Sequence, residues 1–180
     1  MYPIDFFYRA AKLHPERCAL QSSLVKISYG ELATRVSALA TALQAIDPTP
    51  QSRVGICAAN TTEHAMGILA AMAAGKIWVP LNARSSNTEL ARILNATEPS
   101  IVITDEAGAN LVGDTQSNKL LFGDSNTATS VDQLITRYAG QAPTSISSGE
   151  DAIQAIKFTG GTTGAPKGVM QPYRAWTAGI

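Results

Sequence analysis

The residues best suited to chemistry lie together near the end of the chain, in the segment IKFTGGTTGAPKGV at positions 156–169. Glycine has no Cβ, so the backbone of this segment can turn consecutive N–H groups inward toward an anion. Threonine hydroxyls add donors, and Lys167 adds a compact positive charge with three more. The groups concerned are Thr159, Gly160, Gly161, Thr162, Thr163, Gly164 and Lys167. Their combination predicts a loop that binds a polyphosphate.

The spacing excludes two common nucleotide-binding loops. A Walker loop requires Gly-Lys followed by Ser or Thr, whereas Lys167 follows Pro166 and precedes Gly168. A dinucleotide-binding fingerprint requires GxGxxG between a strand and a helix, and no window of the sequence has it. The segment is therefore interpreted as a third kind of phosphate loop. The alternative is a tight surface turn with a solvated Lys167.

Alternating strands and helices are predicted to position this segment. Short apolar runs bounded by turn residues predict buried strands, and the motifs SYGE and SNTE predict capping boxes of Ser28 with Glu31 and Ser86 with Glu89. The alternation predicts an α/β fold, a parallel doubly wound sheet with flanking helices and right-handed crossovers. The predicted elements are helices at 3–14, 29–47, 63–74, 86–96, 131–138 and from 172, with strands at 19–22, 26–28, 53–58, 77–80, 101–104, 119–122 and 152–158.

The loop segment FTGGTTGAPKGV resembles the phosphate-loop signature of the AMP-forming acyl-CoA synthetase superfamily, which includes luciferases and the adenylation domains of peptide synthetases. Gly160 stands where many members have serine, and Tyr173 stands where many have histidine, so no role for that histidine is transferred. The segments ISYGEL, GKIWVPLN and TELARILNATEPSIVITD extend the resemblance over residues 28–169. The resemblance implies the N-terminal subdomain of an adenylate-forming enzyme, with residues 1–150 as the α/β subdomain. Residues 151–180 would then supply a strand, the phosphate loop and the start of the next element.

The same resemblance implies a two-step reaction. A carboxylic acid attacks the α-phosphorus of ATP to give an acyl-adenylate and pyrophosphate, and the thiol of coenzyme A then accepts the acyl group. In this scheme Lys167, Thr162 and Thr163 are the catalytic candidates, because donors near the departing pyrophosphate stabilise developing negative charge. Mg²⁺ would neutralise the remaining phosphate charge.

Members of the superfamily are several hundred residues long, and their later segments bind the adenine and the ribose of ATP and contain a catalytic lysine. We therefore expect the chain to be an N-terminal fragment of an acyl-CoA ligase that is inactive alone, with apolar surface that favours self-association. One alternative is part of an amino-acid adenylation domain that feeds a carrier protein. A second alternative is a non-catalytic module that binds a nucleotide or a protein. The acid that is activated is not readable from these residues.

Composition narrows the class of protein. Fourteen basic and fourteen acidic residues balance, which argues against a nucleic-acid partner. The most apolar region, residues 65–81, is interrupted by Lys76 and is too short for a membrane span, so a cytoplasmic location is expected. Two cysteines and two histidines lack metal-ligand spacing, so no metal site is expected and these residues are interpreted as packing or surface positions: Cys18, Cys57, His14 and His64.

Overall fold

The computed structural model describes residues 1–123, 129–145, 147–159 and 167–178. Seven helices and nine strands lie in these ranges. The helices are α1 Pro3–Leu13, α2 Tyr29–Ile46, α3 Thr62–Ala73, α4 Asn87–Thr97, α5 Glu106–Val112, α6 Val131–Arg137 and α7 Tyr173–Thr177. The strands are β1 Cys18–Gln21, β2 Lys26–Ser28, β3 Arg53–Cys57, β4 Ile77–Pro80, β5 Ile101–Thr104, β6 Asn118–Leu121, β7 Thr129–Ser130, β8 Ile153–Thr159 and β9 Lys167–Pro172.

The main sheet has seven strands in the order β7-β6-β5-β3-β4-β8-β9. Its strands run parallel except for β9, which is antiparallel to β8. Strands β1 and β2 form a separate antiparallel pair. The predicted α/β class, with a mainly parallel sheet and flanking helices, is therefore confirmed, and β9 makes the sheet mixed.

The core lies on both faces of the main sheet, because successive side chains of a strand point to opposite faces. In β3, Val54 and Ile56 join the core formed with α2 and α3, whereas Cys57 joins the core formed with α4. All three are fully buried, as the apolar run predicted. The central strands are thus covered on both faces, which fixes the sheet that supports the loop.

Serine caps begin two of the predicted helices. The hydroxyl of Ser28 accepts a hydrogen bond from Glu31 N, and that of Ser86 accepts one from Glu89 N, both at 3.2 Å. The returning bond from the glutamate side chain is absent from both helices, within residues 1–123, so each predicted capping box is half formed. The Glu31 carboxylate instead lies 3.9 Å from the Arg35 guanidinium, one turn along α2.

The structure contains three elements that the sequence did not predict. Helix α5 is short and includes Gly108 and Asn110, which are weak helix formers, so its periodicity is faint. Strand β7 has only two residues. Strand β9 contains Gly168 and Pro172, which are depleted in strands, and its pairing partner β8 supplies the hydrogen bonds that define it.

Residues 139–150 form no helix or strand in their described part, as their composition predicted, yet they are tied to the helical layer. The Gln44 side chain donates to Thr144 O at 3.0 Å and accepts from Thr144 N at 2.8 Å. The Tyr2 hydroxyl donates to Ser148 O. These bonds hold the linker against α1 and α2 on its way to β8.

Lys76, the charge that interrupts the apolar region, is a buried structural residue with 1% exposure. Its ammonium donates to Thr49 O at 2.8 Å and to Ser52 Oγ at 2.9 Å, and also to Asp47 O. Burial lowers the pKa of Lys76, and the Asp47 carboxylate opposes this shift. All three ammonium donors are thus used inside the protein.

Among the helices that the structure describes, none combines the length and hydropathy needed for a membrane span. Large apolar side chains are exposed at Leu24, which is 92% exposed, and at Met170 on β9, which is 64% exposed. Self-association through such surface stays a prediction.

Candidate functional site

The predicted phosphate loop connects β8 and β9, two antiparallel strands. Their register places Thr159 opposite Lys167 and Phe158 opposite Gly168, so the two ends of the loop lie side by side. Thr159 and Lys167 are both exposed. The other five predicted site residues lie outside the described residues: Gly160, Gly161, Thr162, Thr163 and Gly164. The described part therefore brings together one hydroxyl donor and the one lysine of the prediction.

The hairpin lies at the edge of the sheet where ligands of open α/β proteins usually bind. Strand β8 is parallel to β4, so its carboxyl end points the same way as the carboxyl ends of β3, β4 and β5. The loop begins directly after Thr159, the last residue of β8. Its position thus fits a binding role.

Gly168 lets β9 pack closely against β8. A Cβ placed on Gly168 would meet Phe158 Cζ at 3.1 Å and Ile156 Cγ2 at 3.2 Å, both tighter than ordinary contact. The aromatic ring of β8 thus lies over the glycine directly opposite it, next to Lys167. The glycine that follows the lysine in this motif therefore has a packing role that the sequence alone did not reveal.

Lys157, which the sequence did not single out, lies two residues before the loop and between two tryptophans. Its ammonium lies 5.3 Å from the ring centroid of Trp78 on β4 and 4.5 Å from that of Trp176 on α7. The Trp176 indole N–H donates to Gln171 Oε1 on β9 at 3.2 Å. These side chains are widely separated in sequence, so only the fold shows that they meet.

The three-residue spacing of Tyr173 and Trp176 on the helix predicted from residue 172 favours core positions over a place in a substrate pocket. Tyr173 is 2% exposed, and its ring packs edge-on against Tyr2 with centroids 4.9 Å apart. Burial raises the pKa of Tyr173 to about 12. Trp176 is half-buried and packs against the core formed with α2 and α3, so the core prediction is confirmed for Tyr173 and holds in part for Trp176.

A second candidate position lies at the carboxyl ends of the neighbouring strands β3 and β5, which Asp105 bridges. Its carboxylate accepts from Ala59 N at 2.8 Å and from Gly108 N at 2.7 Å, which caps α5 and joins it to the end of β3. Crossovers leave these neighbouring strands in opposite directions, which is where many α/β proteins bind ligands. Here the carboxylate is already occupied by backbone donors, which leaves the β8–β9 loop as the stronger candidate.

Cysteine and histidine take structural or surface positions. Burial, with the Asp105 carboxylate adding to it, raises the pKa of the Cys57 thiol to about 11, so the reactive thiolate is scarce at neutral pH. His64 Nδ1 lies 3.1 Å from Ala59 O, at the start of α3. Cys18 and His14 are exposed. The described residues contain no cluster of three side chains that could hold a metal ion.

Comparison with known proteins identifies relatives of this fold and sequence. The family described as AMP-binding enzyme matches residues 7–180. The chain is 28% identical over 165 residues to the polyketide synthase-nonribosomal peptide synthetase ffsA of Aspergillus flavipes, covering 92% of this chain and 4% of that protein. It is 31% identical over 163 residues to the polyketide synthase-nonribosomal peptide synthetase hybrid himA of Aspergillus japonicus, covering 91% of this chain and 4% of that protein.

Solved structures match over nearly the whole chain. The N-terminal subdomain of Klebsiella oxytoca NpsA in complex with 3-hydroxybenzoyl-AMSN is 27% identical, with a TM-score of 0.77, and the match covers 96% of this chain and 41% of that one. A putative long-chain-fatty-acid CoA ligase from Rhodopseudomonas palustris is 25% identical, with a TM-score of 0.82, over 96% of this chain and 44% of that one.

The chain thus spans less than half the length of these structures and a few per cent of the two synthetases. Its sheet and flanking helices are those of the N-terminal subdomain of adenylate-forming enzymes. The family match over residues 7–180 shows that the chain belongs to the AMP-binding, adenylate-forming enzyme family.

Proposed function

We propose that the natural protein activates a carboxylic acid with ATP, and that the β8–β9 loop holds the ATP phosphates. The observation that carries this proposal is the hairpin that sets Thr159 opposite Lys167 at the carboxyl edge of the sheet. The chain leaves the loop as a strand, so the fixed positive charge comes from Lys167 rather than from a helix N-terminus. We also propose that residues 1–150 form the α/β subdomain and that residues 151–180 supply a strand, the phosphate loop and the start of the next element.

In the proposed first step, a carboxylate oxygen of the acid attacks the α-phosphorus and forms a new P–O bond. The bond between the α-phosphorus and the bridging oxygen breaks, and pyrophosphate leaves with its electron pair. Negative charge therefore grows on the β- and γ-phosphates. Lys167, Thr162 and Thr163 would donate to these oxygens, and Mg²⁺ would supply further positive charge there. Positioned donors of this kind lower the barrier because they bind the transition state more tightly than the ground state.

ATP–pyrophosphate exchange with a panel of carboxylic acids tests this step in the natural protein. We expect Lys167→Ala to lower the exchange rate on the order of 10²-fold, as does removal of one oxyanion donor in other enzymes. The control is Lys26→Ala on β2, which removes an exposed strand lysine far from the loop in sequence. Equal exchange rates for the two variants would refute the role of Lys167. Binding of ATP without exchange would favour a nucleotide-binding module instead.

Two acceptors are proposed for the second step. A carrier-protein thiol is favoured by the named sequence relatives, which are peptide synthetases. Coenzyme A is favoured by the structural match to a putative CoA ligase. Incubation with acid, ATP and either coenzyme A or a phosphopantetheine-bearing carrier protein, followed by mass measurement of the thioester, distinguishes the acceptors. A cytoplasmic location is part of the same proposal, because these reactions consume ATP.

A further inference from the structure

The loop-bearing hairpin shares few paired residues with the rest of the sheet. Strand β8 contacts β4 through a single register pair, Trp78 with Ala155, whereas β3 and β4 share four pairs. On its other side β8 is paired only with β9, which forms the edge of the sheet. Side-chain contacts between β8 and its neighbours therefore help to set the position of the loop.

Lys157 lies where its side chain can make such contacts. It alternates with Ile156 and Phe158, which pack into the core beneath α4, so its side chain points to the opposite face, where Trp78 and Trp176 lie. An ammonium over the face of an indole is attracted by the ring quadrupole, and Trp is the strongest partner among aromatic residues. Two indoles contact one ammonium here.

The contact joins four elements of the chain. Trp78 belongs to β4, Lys157 to β8 and Trp176 to α7, and the Trp176 indole is hydrogen-bonded to Gln171 of β9. In the part of the chain that the structure describes, no carboxylate lies within ion-pair distance of the Lys157 ammonium. The two indoles are thus its main described partners.

We propose that Lys157 is a positioning residue for the phosphate loop, acting as a cationic link between the indoles of Trp78 and Trp176. It fixes β8 and β9 against β4 and α7, and thereby sets where the paired loop ends, Thr159 and Lys167, lie relative to the main sheet. The consequence for the reaction rests on the proposed function. The ordering of the hairpin by the link does not depend on any ligand.

Two variants at Lys157, a control and a reserve variant test the link in the natural protein. Lys157→Met keeps a long side chain without its charge, and Lys157→Arg keeps a cation that can stack on both indoles. Lys26→Met makes the same change on β2 and serves as the control. Trp176→Leu, which removes one ring and keeps the lysine, is the second test if Lys157→Met does not fold.

Amide hydrogen exchange in the absence of ligand tests whether the link orders the β8–β9 hairpin. We expect Lys157→Met to speed the exchange of β8 and β9 amides about tenfold and to leave β3 amides unchanged, because the hairpin opens locally. Lys157→Arg should bring the rates back to within about threefold of the unmodified protein. Unchanged hairpin exchange in Lys157→Met, or the same acceleration in Lys157→Arg, would overturn the proposal.

ATP–pyrophosphate exchange measures the effect of the Lys157 variants on the reaction. We expect Lys157→Met to raise the KM for ATP about tenfold or more, because misplaced binding groups lose affinity, with recovery in Lys157→Arg. An unchanged KM for ATP in Lys157→Met, with faster hydrogen exchange of the hairpin amides, would refute the inference that the link positions the phosphate loop. If the unmodified protein shows no ATP–pyrophosphate exchange with any acid, the proposed function is refuted. Amide hydrogen exchange then still tests whether the link orders the hairpin.

Discussion

Replacing Gly108 by alanine tests how tightly α5 packs on the end of β3. A Cβ at this position would lie 1.9 Å from Cys57 O and 2.9 Å from Cys57 C. These are backbone atoms of a fully buried residue, so they cannot rotate away as a side chain could. Helix α5 would have to recede by about 1.5 Å to restore ordinary contact, because packed interiors have no spare space.

The expected cost follows from two contributions. Overpacking against a rigid neighbour costs about 1–3 kcal/mol. The movement also pulls Gly108 N away from the Asp105 carboxylate, now 2.7 Å away, and loss of such a helix cap costs about 1 kcal/mol. We therefore expect Gly108→Ala to lower the free energy of unfolding by about 2–4 kcal/mol.

Urea unfolding followed by circular dichroism measures this loss. The matched control is Gly149→Ala, because a Cβ there has no atom within 4 Å. That control should change the free energy of unfolding by less than about 0.5 kcal/mol. A loss below about 1 kcal/mol in Gly108→Ala would refute the close approach of α5 to β3.

Two further predictions concern buried or hydrogen-bonded polar groups. Gln154 is fully buried and both its amide atoms lack a partner in the described residues, so Gln154→Met should raise the free energy of urea unfolding by about 1–2 kcal/mol, and a decrease would contradict this. Burial would raise the pKa of Asp47, but hydrogen bonds from Ser100, Thr49 and Ser52 outweigh it and hold the pKa well below its usual value. The stabilisation by Asp47 is therefore present above the ordinary carboxyl pKa of about 4 and is lost as the pH falls below it. Asp47→Asn should accordingly destabilise the protein more at neutral pH than near pH 3, and an equal loss at both pH values in urea unfolding would contradict this.

Local sequence patterns were sufficient to predict most of the fold. The apolar runs at β3, β4 and β5 and the serines that cap α2 and α4 are signals carried by neighbouring residues, and the structure places these elements within one or two residues of the predicted bounds. Helix α5 escaped prediction because its stability comes from the Asp105 cap and from contact with β3 rather than from its own periodicity.

The candidate site was predictable only in part, for the same reason. The types and spacing of the loop residues predicted phosphate binding, and the hairpin puts Thr159 and Lys167 next to each other. The surroundings were not predictable, because Lys157 meets Trp78 and Trp176 through long-range pairing of strands and helices. A lysine in a strand sequence gives no indication that two indoles will lie beside it.

The single register pair between β4 and β8 also bears on the order of folding. Strand β3 pairs with β4 and with β5 across shorter stretches of chain than separate β4 from β8. Trp78 and Ala155, by contrast, come together only after a long intervening segment has been organised, which carries a larger entropic cost. We therefore expect the loop-bearing hairpin to dock after the central strands have formed and to detach before they separate, so that the candidate site is acquired late in folding and lost early in unfolding.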